Sequence, residues 1–293
     1  MHPDPAITTL CAARISVGLP IPSDLRVHSV YQSAINGLTP DGRLVTVATE
    51  RVGGLPNGIV IAGDPDLAGL GIRPGMGVRL GQALRFESVG VIIRLDDAAP
   101  WSPRVPVLDV SRWPSRAVRC ASLARRHRVA GGLEALAAAG SALNALAGAI
   151  TRSDRVAALR AARGLIGLGP GLTPSGDDAL AGVEAALHAV GHPVAGFLQA
   201  GTDDLETRTT TVSAAMLRHA ASGDAAERVH RLLGALLSGP DEGLPDAIQA
   251  AVRWGATSGS DLLAGVVLAL DAAALRVPAT ATATPTASAR VAA

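Results

Sequence analysis

The stretch Gly164–Asp178, GLIGLGPGLTPSGDD, carries the groups of this chain best suited to hold a small ligand. Gly167, Gly169 and Gly171 admit backbone conformations closed to other residues and let amides converge on a ligand, while Pro170 and Pro174 stiffen the loop. Thr173 and Ser175 add hydroxyls. Ser175 is expected to cap a helix starting near Gly176, with Asp178 reaching back to its amide in a variant of the capping box. Such a helix start offers free amides and a partial positive charge, which suits phosphate or carboxylate. With Asp178 taken by the cap, Asp177 is left as base or hydrogen-bond acceptor and is the candidate catalytic residue. If both carboxylates faced the pocket they would repel an anion, unless a divalent cation or an amine lay between them. The alternative is a rigid loop that caps a core helix and binds nothing.

Two other segments could complete such a site. Ser175–Gly182 and Ser258–Gly265 share the form S-G-x-D-x-L-A-G, so Thr257, Ser258, Gly259 and Asp261 offer a second helix start, either facing the same space or repeating the same capping solution. In Thr207–Ser213, Thr209, Thr210 and Ser213 gather hydroxyls at the start of another predicted helix, where Thr209 and Ser213 share a face. They line a polar pocket or merely cap and back-bond to the helix. Arg208 is the nearest cation for an anionic substrate.

Composition closes several routes. All 26 basic residues are arginine, so a Walker-type phosphate loop and Schiff-base chemistry, which need a lysine amine, are excluded. The G-x-G-x-G spacing, with no strand before it, fits a dinucleotide fingerprint poorly. Charge is nearly balanced at +1, and one tyrosine, two phenylalanines and three tryptophans make no stacking platform, so nucleic acid is not an expected partner. Cys11 and Cys120 have no metal-ligand spacing. His188 and His192 are four apart, but Gly191 and Pro193 end the helix between them and its shared face is lost; these two, His219 and His230 read as surface or core residues. Asp203 and Asp204 would hold magnesium with Asp177 and Asp178 only if the fold gathered them, and nothing in the sequence supports that; no cofactor is expected. The arginines at 112, 116, 119, 125, 126 and 128 scatter around a predicted helix and read as a solvated face or a subunit contact.

The elements that must position these residues fall into two halves. Val27–Val30, Leu44–Thr49, Gly58–Ala62, Gly77–Leu80 and Val89–Leu95 are short β-branched runs separated by Gly/Pro/Asn turns, the texture of a small barrel or sandwich. Beyond Ser115 alanine and leucine dominate at helical spacing, predicting helices over 116–127, 131–149, 152–163, 176–190, 194–200, 207–222, 224–237, 244–253 and 259–275. The expected class is α+β: a β-rich N-terminal domain over 1–110, a mainly helical domain over 111–277 carrying the glycine loop, and a disordered Thr/Ala/Pro tail over 278–293. The apolar segments are rich in alanine and glycine or broken by charge, and the N-terminus lacks a basic-then-apolar leader. A cytoplasmic protein with no membrane span is therefore expected.

GLGPGLTPSGDDALAG resembles the signature of the AllH-like family, the smaller subunit of bacterial oxamate carbamoyltransferase. Thr209–Ser213 with Met216-Leu217 is similar to that family's T-T-x-[IV]-S-x-x-[ML]-L segment, and Gly255–Asp261 to its G-H-[ST]-S-G-x-D segment. Val27–Val30 and Leu55–Gly58 fit its β-rich half, so the resemblance spans roughly residues 25–275. Ala256 stands where that last segment is expected to carry histidine. The resemblance implies carbamoyl exchange between carbamoyl phosphate and oxamate, a small anionic substrate, and partner protein subunits. A binding or assembly module whose partners carry the chemistry is the other reading.

Overall fold

The computed structural model describes residues 7–127 and 132–275. Its N-terminal part has nine strands: β1 (Thr8–Ser16), β2 (Ser23–Tyr31), β3 (Ala34–Leu38), β4 (Leu44–Thr49), β5 (Gly58–Ile61), β6 (Gly77–Leu80), β7 (Ala83–Phe86), β8 (Val91–Arg94) and β9 (Ala99–Trp101). Neighbours run β5-β4-β3-β2-β6-β7-β8-β1, and β1 pairs back onto β5, so eight strands close into a barrel with β9 continuing beside the second half of β1. The barrel is mixed: β1 runs parallel to β8 and β9, and β4 parallel to β5. Closure removes the exposed edges that an open sheet this size would present. Of the barrel or sandwich expected from the turn spacing, the barrel is the one formed.

Its interior is filled by alternating side chains such as Leu25, Val27, Ile35, Val45, Val47, Ile59, Ile61, Leu84 and Ile93. β4 is buried on both faces. Val45 and Val47 point into the barrel, whereas Leu44, Thr46 and Ala48 belong to the opposite face, which the helices cover. The wall of the candidate site on the barrel side is this outer face.

The helical part comprises α1 (Trp113–His127), α2 (Ala139–Thr151), α3 (Arg155–Ala162), α4 (Ser175–Ala189), α5 (Leu205–Arg208), α6 (Thr211–Ala221), α7 (Glu227–Leu237), α8 (Leu244–Val252) and α9 (Ser258–Ala274) among the described residues. α4 and α9, the two copies of the repeated segment, pack against each other at its centre. α4 is buried at thirteen of its fifteen positions, so its alanines and glycines serve close packing rather than solubility. A methyl group at Gly182 would run into the Leu262 carbonyl, and one at Gly265 into the Ala179 carbonyl.

Four helix predictions need correction. The helix expected over 131–149 starts only at Ala139; residues 132–138 form turns around a short 3₁₀ segment, and residue 131 lies outside the described residues. The segment at 194–200 is a 3₁₀ turn, Phe197–Gly201, held by the Glu184 carboxylate. The helix expected over 207–222 is broken, because Thr209 is extended and Thr210 caps α6 with its hydroxyl. The one expected over 224–237 begins at Glu227, after an extended Ala226. The predicted tail over 278–293 and Arg128 lie outside the described residues. No helix among the described residues is long and apolar enough to cross a membrane.

Candidate functional site

The glycine loop threads between α3 and α4 with Gly167, Gly169 and Gly171 all at positive φ (73°, 112° and 101°). At Gly167 the requirement is double, since a side chain would also collide with the Arg208 carbonyl. Pro174, not Ser175, occupies the N-cap position of α4, and no side chain caps it. The capping box expected of Ser175 and Asp178 is therefore absent: Pro174 sets the extended turn-in, and its carbonyl already accepts the amides of Asp177 and Asp178.

Both aspartates are buried, but they face different surroundings. Asp177 accepts the Gly167 amide at 2.8 Å and the Thr209 hydroxyl, with Ser213 also against it. Burial raises its pKa, and these three bonds pull it back. It ties the loop to the α5–α6 junction. Thr210 completes the tie, donating from its hydroxyl to the Leu172 carbonyl at 2.6 Å while accepting from the Ser213 amide. Asp177, Thr209, Thr210 and Ser213 thus form a brace behind the loop. Arg208 lies outside, half-exposed, paired with Asp204 at 3.0 Å and donating to the Arg163 carbonyl.

Asp178 lines a cavity of about 310 Å³ between the barrel and the helices, within the size range of small-ligand sites. Burial pushes its carboxyl up to about 7, the hydroxyls of Ser258 and Thr173 pull the other way, and Asp261 and Asp177 add repulsion. Oδ2 of Asp178 has no partner of hydrogen-bond geometry among the described residues. Thr173 and Ser258 bond each other at 2.9 Å, so the loop and the repeated segment do meet, and both residues line the cavity. The other predicted residues stand back from it. Gly176 and Gly259 press on the carbonyls of Leu165 and Ala251, and Asp261 accepts the Leu133 amide at 2.7 Å. Gly169, Gly171, Ser175 and Thr257 are not in the lining either.

Several lining residues escaped the sequence reading. Arg228, on α7, has its guanidinium 5.2 Å from the centre of the Trp254 ring and no ion pair or hydrogen bond among the described residues. Burial and Arg231 lower its pKa, while Asp178 raises it. The barrel contributes a polar strip: Thr46 donates to Asn36 at 2.8 Å, and Asn57 donates to the Leu44 carbonyl at 3.2 Å. His219 lines the cavity near Asp224, its pKa lowered by burial. A buried Asn or Thr on a strand is detectable only as a break in apolar patterning, and Arg228 looks like any helix-surface arginine. Arg116 differs from the solvated face expected of its helix. It is 2 % exposed and donates to the Leu236 and Gly239 carbonyls, closing the end of α7. Among the described residues no group of three or more His, Cys, Asp or Glu side chains gathers as a metal site, and Asp203 and Asp204 do not join Asp177 and Asp178.

Fold and cavity together define a two-domain α+β protein, a closed mixed barrel joined to a helical domain with a small cavity between them. Residues 165–270 match the family described as oxamate carbamoyltransferase subunit AllH, and residues 10–121 match the AllH family N-terminal domain. The chain belongs to the AllH family, as the AllH subunit of oxamate carbamoyltransferase, and a subunit implies partner subunits. No solved structure matches it.

Proposed function

We propose that this chain binds the small anionic substrate of the carbamoyl transfer, oxamate or an anion resembling carbamoyl phosphate, in the cavity between barrel and helices. The observation that carries this reading is Arg228: a half-buried guanidinium lining the cavity, propped on Trp254 and engaged by no carboxylate among the described residues. A cation withdrawn from water without a partner costs free energy that a bound anion recovers. The loop contributes Thr173 and Asp178 to the wall, and Asp177 acts as a positioning residue that holds the loop against α6. Two free cysteines suit a reducing compartment such as the cytoplasm.

Equilibrium titration of the chain with oxamate and with carbamoyl phosphate tests it. Arg228→Gln should weaken binding by about tenfold or more, since a hydrogen bond to a charged group contributes roughly 1.5–3 kcal/mol. Unchanged affinity would remove the cavity from consideration.

A second reading, a subunit that organises its partners while they carry the chemistry, draws on the occupied state of Asp177 and on Ala256 in the turn before Ser258. Full transfer activity of the complex with Arg228→Gln would favour it.

A further inference from the structure

The two copies of the repeated segment make an internal comparison. Asp178 and Asp261 hold the same place in S-G-x-D, and each is at most 5 % exposed. Asp261 spends one oxygen on the Leu133 amide, 2.7 Å away, and does not line the cavity. Asp178 receives no backbone amide, caps no helix and makes no ion pair among the described residues; the hydroxyls of Ser258 and Thr173 are its hydrogen-bond partners, its buried Oδ2 is unpartnered, and the residue lines the cavity. A buried carboxylate oxygen in that condition is costly to keep unless something donates to it. In the second copy the chain itself supplies one donor, the Leu133 amide, to Oδ1, and Oδ2 of Asp261 is likewise unpartnered among the described residues, so what sets Asp178 apart is its place on the cavity wall.

Arg228 presents the reverse chemistry in the same space. The two charges sense each other but form no ion pair, so a molecule lying between them would meet a donor at one end and an acceptor at the other. Much of the remaining lining is apolar, including Leu44, Leu172, Val212 and Met216; of its other polar groups, Asn36, Thr46 and Asn57 bond one another along the barrel strip, and Asp224 is paired with Arg104.

We infer that Asp178 is a specificity-determining residue: its carboxylate accepts the N–H groups of an amide at one end of the ligand, while Arg228 holds a carboxylate at the other. The class selected is a short amide acid, and a dicarboxylate or keto acid of the same size is rejected. A second carboxylate would face Asp178 charge to charge, and a methyl group would leave the buried carboxylate unsatisfied. This rests on the reading of the cavity as the substrate site.

The test compares oxamate, oxalate and pyruvate as probes by calorimetric titration of the wild-type chain, Asp178→Leu and Asp178→Asn. The wild type should prefer oxamate to pyruvate and to oxalate by about tenfold or more, the loss expected for one unpaired buried hydrogen-bonding group. Asp178→Leu should bring the oxamate/pyruvate ratio to about one, and Asp178→Asn should at least relieve the rejection of oxalate. Asn is close in shape, so it keeps the test open if the leucine variant does not fold. A wild type that binds oxamate, with a preference unchanged in the variants, overturns the role of Asp178 and leaves the cavity reading standing. A wild type that binds none of the three saturably overturns both.

Discussion

Gly182 of α4 and Gly265 of α9 stand at the same position of the repeated segment, and each abuts the carbonyl next to the other's helix start: Leu262 for Gly182, Ala179 for Gly265. Ala179 and Leu262 are themselves equivalent positions, so the contact is reciprocal. This backbone-to-backbone approach brings Thr173 to Ser258 and seats Asp178 beside them.

Gly182→Ala should therefore destabilise the fold by roughly 2–4 kcal/mol, because the methyl meets a carbonyl that cannot rotate away. Gly234→Ala is the contrast. It lies within α7 with open space around it, and should gain about 0.5–1 kcal/mol from helix propensity. Denaturant unfolding of both variants measures the difference.

The Asp178 carboxyl gives stability a definite pH dependence. Its folded pKa, about 7, lies above the ordinary aspartate value of about 3.9, so between these values the folded chain keeps a proton that the unfolded chain releases. Its contribution is fully present below the lower value and is lost as pH rises through the upper one. Asp178→Asn, which never ionises, should thus melt progressively higher than wild type as pH rises from 4 to 8. The gain in thermal scans approaches an upper limit of about 4 kcal/mol. Equal melting differences at pH 4 and pH 8 would contradict the burial of this carboxyl.

Asp177 tests the brace. Asp177→Ala frees the Gly167 amide and the Thr209 hydroxyl and should cost about 2–3 kcal/mol, with faster amide exchange over residues 167–173. Asp177→Asn retains one acceptor for the amide, and its NH₂ can donate to the Thr209 hydroxyl, so most stability and ligand affinity should survive. A catalytic base would instead lose activity with the asparagine.

Glu184 separates structure from site. It is fully buried and accepts the Gly196 amide at 2.6 Å and the Leu198 amide at 2.9 Å. Glu184→Gln turns an NH₂ group toward one of those amides and should cost about 2 kcal/mol of stability, with oxamate affinity unchanged in the folded fraction. Chemical unfolding and titration read the two effects separately.

The fold was legible where burial follows chain-local pattern. β4 and β6 begin and end at the residues expected from their apolar runs, and α4 and α9 start within one residue of expectation. β1, β3, β7 and β9 lie outside the expected runs, because TTLCAARIS, AINGL, ALRF and APW lack the β-branched alternation that marks a strand and are fixed instead by pairing across the barrel. In the site, the loop and its meeting with the second helix start were visible as composition. The arrangement of the two aspartates was not. Adjacent residues on a helix point about 100° apart, and only packing decides which one meets the cavity. Arg228 and the Asn36–Thr46 strip come from elements remote in sequence and carry no local signature.

The most direct measurement is a crystal structure of the chain with oxamate. Oxamate should lie in the cavity between barrel and helices, its carboxylate on the Arg228 guanidinium and its amide nitrogen within hydrogen-bond distance of Asp178. Oxamate held instead by the backbone amides of Gly169 and Gly171, with Arg228 and Asp178 untouched, would contradict this placement.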